Sequence, residues 1–490
     1  MPTKAAFLNA HRAQPGFVQD SALQSITGQP LLPTVGLNVL GVGVGFPGYT
    51  VPDAPPDTNA AVGDTQVVEW VNVSYAVFNK TTGAAETGPI AGNALWAGFG
   101  GQCQNQNSGD IIAQFDKAAH RWVLFQPVFS APFKSCFAIS TTADALGTYY
   151  RYEFPQNAGF PDYPKLGIMP NAYFQANNMF NFQLTAYIGA QPCAYERVKM
   201  LAGDPSAKQV CIFDNGGSKP LFDDSMLPAD LDSPTSLPPA GADEVFLGSI
   251  DNVIPEHNVY QYLFHVDFTT PSNSTLTGVG GTMPIPVSSF TLACGNGGGC
   301  LRQKGTSDSL ATLGDRLMYR LAYRSTGSAA VAVRTQSWLV NHAIVSGNSQ
   351  AEERWYEFRA PLGHPTDLTV FQQGTYAPDA TNRWMGSLAM DKVGNIIMGY
   401  STTSSSTYPA INFTGRLKSD PLGQMQSEGL IFNGTGSQAD TANRWGDYSS
   451  MSVDPNDGCT MWYAQEYYTV PGSTFAWSTR LASLKFPNCN

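Results

Sequence analysis

Five aspartates in this chain stand at the head of apolar runs, and three of them have an arginine or a tyrosine as the next residue or the next but one. They are Asp64 in Gly63-Asp64, Asp110 in Gly109-Asp110, Asp162 in Asp162-Tyr163, Asp315 in Asp315-Arg316, and Asp447 in Gly446-Asp447-Tyr448. Carboxyl groups drawn from separate segments could share acid and base work, as glycosidic bond cleavage requires: one carboxyl protonates the leaving oxygen and another acts as nucleophile or base. Asp110, Asp162 and Asp447 are the candidates for that role, and Asp64, Asp315 and Tyr163 for contacts with a substrate. Arg316, Arg383 and Arg444 could instead grip a planar anion with paired N–H groups. Glu466, in Trp462-Tyr-Ala-Gln-Glu-Tyr-Tyr468, could activate a neighbouring phenol. Tyr448 beside Arg444 would suit a lyase, in which a phenol serves as base.

Each of these residues has a plainer reading. An aspartate just ahead of a strand commonly caps a turn, and an Arg-Trp pair that recurs can pack a guanidinium on an indole. A glutamate at the end of a strand is often simply solvated.

The elements that would position these residues show as a repeat. Residues 382–391, Asn-Arg-Trp-Met-Gly-Ser-Leu-Ala-Met-Asp, resemble residues 443–454, Asn-Arg-Trp-Gly-Asp-Tyr-Ser-Ser-Met-Ser-Val-Asp, 61 residues further on. Recurrence at a long fixed period marks a repeat architecture. Earlier units open at Gly63-Asp64, Gly109-Asp110 and Asp162, a fourth has strands at 244–250 and 260–268, and a fifth opens at Asp315. Segment 204–242, rich in Pro, Ser and Asp, reads as loop. Seven starts at roughly sixty-residue spacing, each with short strands, predict an all-β chain: a β-propeller of four-stranded antiparallel blades, seven rather than six. A β-sandwich with appended domains is the competing architecture. Residues 1–35 read as an arm or leader and 36–490 as a single propeller domain. Residues 37–46 would add a strand to another sheet's edge, and 477–486 would be the terminal strand that helps close the ring.

Composition agrees with this architecture. Only 13% of residues are charged, against roughly 25% in an average protein. Gly 48, Pro 34, Tyr 21 and Phe 27 suit many turns between aromatic-rich strands. A net charge of -11 excludes nucleic acid and anionic membrane as natural partners. The most apolar run, 31–46, is too short and too glycine-rich to insert in a bilayer. Eight cysteines without a Cys-x-x-Cys spacing predict disulfides between sequence neighbours, 103 with 136, 193 with 211, 294 with 300 and 459 with 489, and an extracellular or periplasmic location, although no signal peptide is visible. Asn-x-Ser/Thr occurs at Asn72, Asn79, Asn273, Asn412 and Asn433.

The six histidines have no metal-ligand spacing; His265 and His342 lie in strand-like runs as core residues and His120 in a turn. No cofactor is implied, with one exception left open: a structural calcium, for which Asp454-Pro-Asn-Asp457 and Asp230-Leu-Asp232 offer oxygen ligands. No Gly-x-Ser-x-Gly elbow or phosphate-binding Gly-Lys loop occurs.

Ser452-Val-Asp454-Pro-Asn-Asp-Gly458-Cys-Thr460-Met-Trp462 resembles a stretched Asp-box, the hairpin of sialidase-type propellers, and 389–396 resembles a more degenerate copy. The wider pattern is similar to large secreted bacterial propeller proteins. The resemblance implies a propeller in which those aspartates satisfy turn amides. The functional expectation is a carbohydrate-active protein that meets a polysaccharide or glycan at the channel mouth, most concretely a glycoside hydrolase. The alternatives are a non-catalytic binding or adhesion propeller and a polysaccharide lyase.

Overall fold

The computed structural model describes residues 20–24, 32–215, 224–249, 256–326, 335–345 and 350–490. Seven antiparallel four-stranded units follow one another in the chain. Blade 1 is Asn59–Val62, Gln66–Val71, Ser74–Asn79 and Ala85–Ala91; blade 2 is Ile112–Asp116, Arg121–Val128, Lys134–Ser140 and Tyr149–Pro155. Blade 3 is Phe160–Ile168, Tyr173–Phe180, Tyr187–Tyr195 and Gln209–Cys211; blade 4 is Leu227–Leu231, Glu244–Gly248, Glu256–His265 and Thr275–Thr277. Blade 5 is Met318–Thr326, Thr335–Val345, Ala351–Pro361 and Thr369–Tyr376; blade 6 is Asn382–Met390, Ile396–Ser404, Thr407–Arg416 and Gly429–Phe432. Blade 7 takes Ser450–Val453, Met461–Tyr467 and Ser478–Lys485 from the C-terminal end and Thr34–Leu40 from the N-terminal end.

The first strands of successive blades are neighbours all the way round, and that of blade 7 returns to that of blade 1. The chain is therefore a seven-bladed β-propeller. Residues 34–40 pair antiparallel with 480–485, so strands from both ends of the chain share the last blade and remove the edge an open ring would leave. Blades 4 and 5 are also joined at their inner strands, where Ala229–Leu231 runs parallel to Leu321–Tyr323.

Side chains stitch the inner strands together. Ser450 and Ser452 Oγ accept the N–H groups of Ala60 and Val62 at 2.7 and 3.1 Å, and Asn59 Oδ1 accepts that of Ala113 at 2.8 Å. Blades pack on both faces, so polar/apolar alternation fades: every residue of Met461–Tyr467 is buried, Gln465 and Glu466 included.

Two expectations about the chain's course change. The inner strand of blade 4 is Leu227–Leu231, inside the segment read as loop; Pro228 and Asp230 mask it, because its polar groups face the channel and find buried partners there. Of the arm, residues 20–24 dock on the ring: Leu23–Gln24 pairs parallel with Thr375–Tyr376, and Asp20 forms an ion pair with the buried Arg354. The four disulfides are 103–136, 193–211, 294–300 and 459–489, as expected from short spacings. They fit an oxidising compartment. Among the described residues no helix is long and apolar enough to cross a membrane.

At the two turns that resemble an Asp-box, Asp391 Oδ1 accepts the N–H groups of Val393 and Asn395 and Asp454 Oδ1 that of Asn456, all at 2.9 Å; Asp457 Oδ1 accepts those of Cys459 and Thr460 at 2.8 Å. Both turns join the innermost strand of a blade to its second strand.

Candidate functional site

One residue just before, or within a bulge of, the inner strand adopts a left-handed backbone in six blades: Asp57, Asp110, Tyr163, Ser225, Met385 and Asp447, with φ between 43 and 77°. Such conformations are uncommon for residues with a side chain, and bulges of this kind re-aim side chains. Four of these six residues, Asp57, Asp110, Tyr163 and Asp447, line a pocket of about 280 Å³. Asp57 and Asn72 of blade 1, Asp110 of blade 2, Asp162 and Tyr163 of blade 3, Arg316 ahead of blade 5, and Arg444 and Asp447 ahead of blade 7 all line it. Phe129, Pro55 and Leu313 supply apolar wall.

A chain of hydrogen bonds runs around this mouth. Asp57 N–H donates to Gly446 O at 2.9 Å, Asp110 N–H to Asp57 Oδ2 at 3.4 Å, and Tyr163 N–H to Asp110 Oδ2 at 3.1 Å. Tyr163 OH then returns to Asp447 O at 3.2 Å, closing blade 3 onto blade 7. Asn72 Nδ2 donates to Pro55 O at 2.8 Å and to Asp57 Oδ2 at 3.3 Å. Turn capping is thus one real role of Asp57 and Asp110, but it occupies one oxygen of each.

The charges are unevenly matched. Arg444 Nη2 donates to both oxygens of Asp447, at 2.6 and 2.5 Å, and Arg316 donates twice to Asp315, at 3.1 and 2.9 Å. Asp162 makes no side-chain hydrogen bond among the described residues, and burial, with Asp110 nearby, pushes its carboxyl up to about 7. Burial raises Asp57 well above the usual carboxylate range, with Asp447 and Asp110 adding to the effect, and raises Asp110 as well. Beneath them Lys165 is wholly buried, its Nζ 3.3 Å from the Tyr163 ring centroid and 4.1 Å from that of Tyr448. Desolvation pulls this amine down to about 7, although Asp110, Asp57 and Asp447 oppose the shift.

Asp110, Asp162, Asp447, Tyr163, Arg316 and Arg444 are therefore brought together, and five other candidates are not. Asp64 follows the inner strand of blade 1, at the opposite end from Asp57, and binds His120 at 2.9 Å on the surface. Asp315 is buried as the partner of Arg316. Arg383 is buried between Glu428 and Asp379 in blade 6, beside Trp384, which packs on Trp445 of blade 7, and no residue of blade 6 lines the pocket. Glu466 lies behind Gly446, outside the pocket lining, wholly buried and held well above the carboxylate range by desolvation; it interacts with Tyr468, whose phenol is raised by burial first and then by Glu466, while Tyr467 packs on Phe432. Tyr448 is also buried, its hydroxyl donating to Ile111 O at 2.9 Å. Burial raises the Tyr448 and Tyr163 phenols, the opposite of what a tyrosine base needs.

The calcium candidates carry cationic side-chain partners. Lys80 binds Asp454 at 3.0 Å and Lys485 binds Asp457 at 3.1 Å, while Asp230 and Asp232 hold Arg320 in a buried network with Lys117. His342 is a neutral core residue, its pKa pushed down to about 3 by burial, whereas His265 is exposed at a strand end beside Asp243.

Sequence reasoning missed Asp57, Asn72 and Lys165. Pro55-Pro-Asp57-Thr-Asn59 precedes the true inner strand, and Gly63-Asp64 drew attention to the wrong end of it. Asp162-Tyr-Pro-Lys165 carries the lysine within the run already singled out.

No family model matches the chain, and neither does any curated protein. Among solved structures it is similar to a fungal alcohol oxidase of the AA5 family in complex with copper, at 11% identity and a TM-score of 0.46 over 93% of this chain and 77% of that one. It is also similar to a thermostable family-43 glycoside hydrolase, at 11% identity and 0.31 over 78% and 91%. An α-L-arabinanase of Penicillium chrysogenum complexed with arabinobiose gives 10% identity and 0.34 over 67% and 94%. Likenesses this distant say nothing of the chemistry, which rests on the residues in the pocket.

Proposed function

We propose that this is an extracellular or periplasmic carbohydrate-active propeller that hydrolyses a glycosidic bond at the mouth of its channel. The observation that carries the reading is Asp162, a pocket carboxyl held protonated up to about pH 7, in one pocket with the arginine-paired carboxylate of Asp447. Carboxyl groups in such contrasting environments divide the roles of acid and nucleophile or base. Asp162 donates its proton to the glycosidic oxygen as the bond to the anomeric carbon breaks. Asp447 either attacks that carbon or takes a proton from the water that does. Arg444 orients Asp447, Asp110 holds the turn of blade 3 in place, and Phe129 offers a ring face to the sugar. Tyr163 does not offer one, since Lys165 and Arg316 sit against its ring.

The test is a panel of polysaccharides scored for new reducing ends and for unsaturated products, with Asp162→Asn and Asp447→Asn as controls. Reducing ends that vanish in both variants support hydrolysis. Binding without product from any glycan would instead identify an adhesion or binding module, and unsaturated products would identify a lyase.

A further inference from the structure

The pocket has more carboxyl groups than its cations satisfy. Asp57, Asp110, Asp162 and Asp447 all line it, but the guanidinium of Arg444 is engaged by Asp447 and that of Arg316 by Asp315, outside the lining. Lys165 acts on Asp57 and Asp110, but its ammonium donates to Pro164 O at 3.0 Å under two aromatic rings, and Asp162 feels only the two guanidinium groups already engaged by Asp315 and Asp447. Asp57 sharpens the imbalance: its side chain is 1% exposed, its Oδ2 accepts from Asn72 and Asp110, and its Oδ1 has no hydrogen-bond partner. A buried carboxylate oxygen without a donor costs on the order of several kcal/mol unless it is neutralised or supplied with one.

We infer that the pocket takes a protonated amine, and that the glycan it selects is an amino sugar whose amino group is free. The inference rests on the carbohydrate reading above and names its substrate class. An ammonium carries three donors, enough for Asp57 Oδ1 and Asp110 together. A sugar carboxylate would meet Asp57, Asp110 and Asp162 and no free guanidinium, so acidic sugars are rejected. A bare metal ion fits less well: among the described residues no group of three or more carboxylate, histidine or cysteine side chains is arranged to hold one. Pro55, Leu313 and Phe129 suit a carbon skeleton attached to the charge. Because burial raises Asp57 and Asp110, docking of a cation against them favours their ionised forms and releases protons, while Asp162 keeps the proton it donates.

The experiment is calorimetry on the whole chain with a glucosamine oligomer and its fully N-acetylated counterpart of equal length, at pH 6.5 in two buffers of different ionisation enthalpy. The glucosamine oligomer binds at least roughly tenfold more tightly and releases protons, and Asp57→Asn weakens it by roughly tenfold while leaving the acetylated oligomer unaffected. Asp57→Asn keeps an oxygen for Asn72 and Asp110, and an unchanged melting temperature shows that it folds; Asp110→Asn is the second variant. Equal or tighter binding of the acetylated oligomer, or indifference to both substitutions, overturns the inference. So does binding of calcium or manganese alone that competes with the amine, which would make this a metal site. Hydrolysis of a neutral glycan with no preference for the amine overturns this inference and leaves the proposed function standing, whereas tight amine binding without hydrolysis does the reverse.

Discussion

Asp110 of blade 2 accepts the backbone N–H of Tyr163 in blade 3, 3.1 Å from its Oδ2, so a pocket carboxyl also caps the left-handed turn that aims the next blade's side chains. The two roles separate by substitution. Asp110→Asn keeps an acceptor oxygen and leaves the melting temperature nearly unchanged. Asp110→Ala leaves that N–H unpaired and costs about 1–3 kcal/mol, measured by chemical denaturation.

Asp162→Asn removes the proposed acid without removing any hydrogen bond of the fold. Turnover on a responsive glycan falls by roughly 10²–10⁴-fold, while the melting temperature holds. In the wild type the rate declines as pH rises through about 7, because the acid is then ionised. A pH–rate profile checks this, and retained turnover in the variant would remove Asp162 from the mechanism.

Glu69 makes stability depend on pH. It is wholly buried in blade 1, accepting from Val42 N–H and Thr479 Oγ1 at 2.7 Å each, and desolvation pushes it from the usual 4.5 up to about 7. The folded state holds this proton more tightly than the unfolded chain, so its contribution is complete below about pH 4.5 and lost as pH rises through 7. At about 1.4 kcal/mol per pKa unit, up to about 3 kcal/mol is at stake. Glu69→Gln keeps an acceptor for Val42 and can donate to Thr479; unfolding curves at pH 5 and pH 8 should show the variant gaining on the wild type only at pH 8.

The disulfides differ in weight. Cys459–Cys489 closes 30 residues and Cys294–Cys300 only 6, so chain entropy assigns them about 3–4 and about 2 kcal/mol respectively. Replacing each pair by serine and comparing melting temperatures tests the order, with the larger loss expected for 459–489, which ties the C-terminal tail to the closing blade.

Trp445 holds the site from behind. It is 1% exposed, stacks on Tyr468 with centroids 5.5 Å apart, and donates Nε1–H to Ser401 Oγ at 3.1 Å. Trp445→Ala should cost about 3–5 kcal/mol in denaturant unfolding and loosen Arg444 and Asp447 on either side, reducing glycan binding together with stability.

The repeat, the blade count and the disulfide pairs were legible in the chain because each is a local signal: a recurring Asn-Arg-Trp, turns between short apolar runs, cysteines close in sequence. Asp110, Asp162 and Asp447 were legible as carboxyls at or just inside the start of an inner strand. Asp57 and Asp64 show the limit. Both are aspartates beside the same short strand, seven residues apart, and one caps the pocket while the other meets solvent at the far face. Composition could not separate them, because only ring closure fixes which end of a strand points to the mouth. The same holds for the paired Asn-Arg-Trp segments. Their tryptophans pack on each other, but Asp447 takes the second copy into the pocket, whereas Met385 of the first stays apolar and buried. The sequence by itself determined that carboxyl groups recur at blade openings. The tertiary structure decided which of them share a pocket, which are already paired with arginine, and which are left to meet a ligand, since charge balance in a buried site depends on neighbours contributed by other blades.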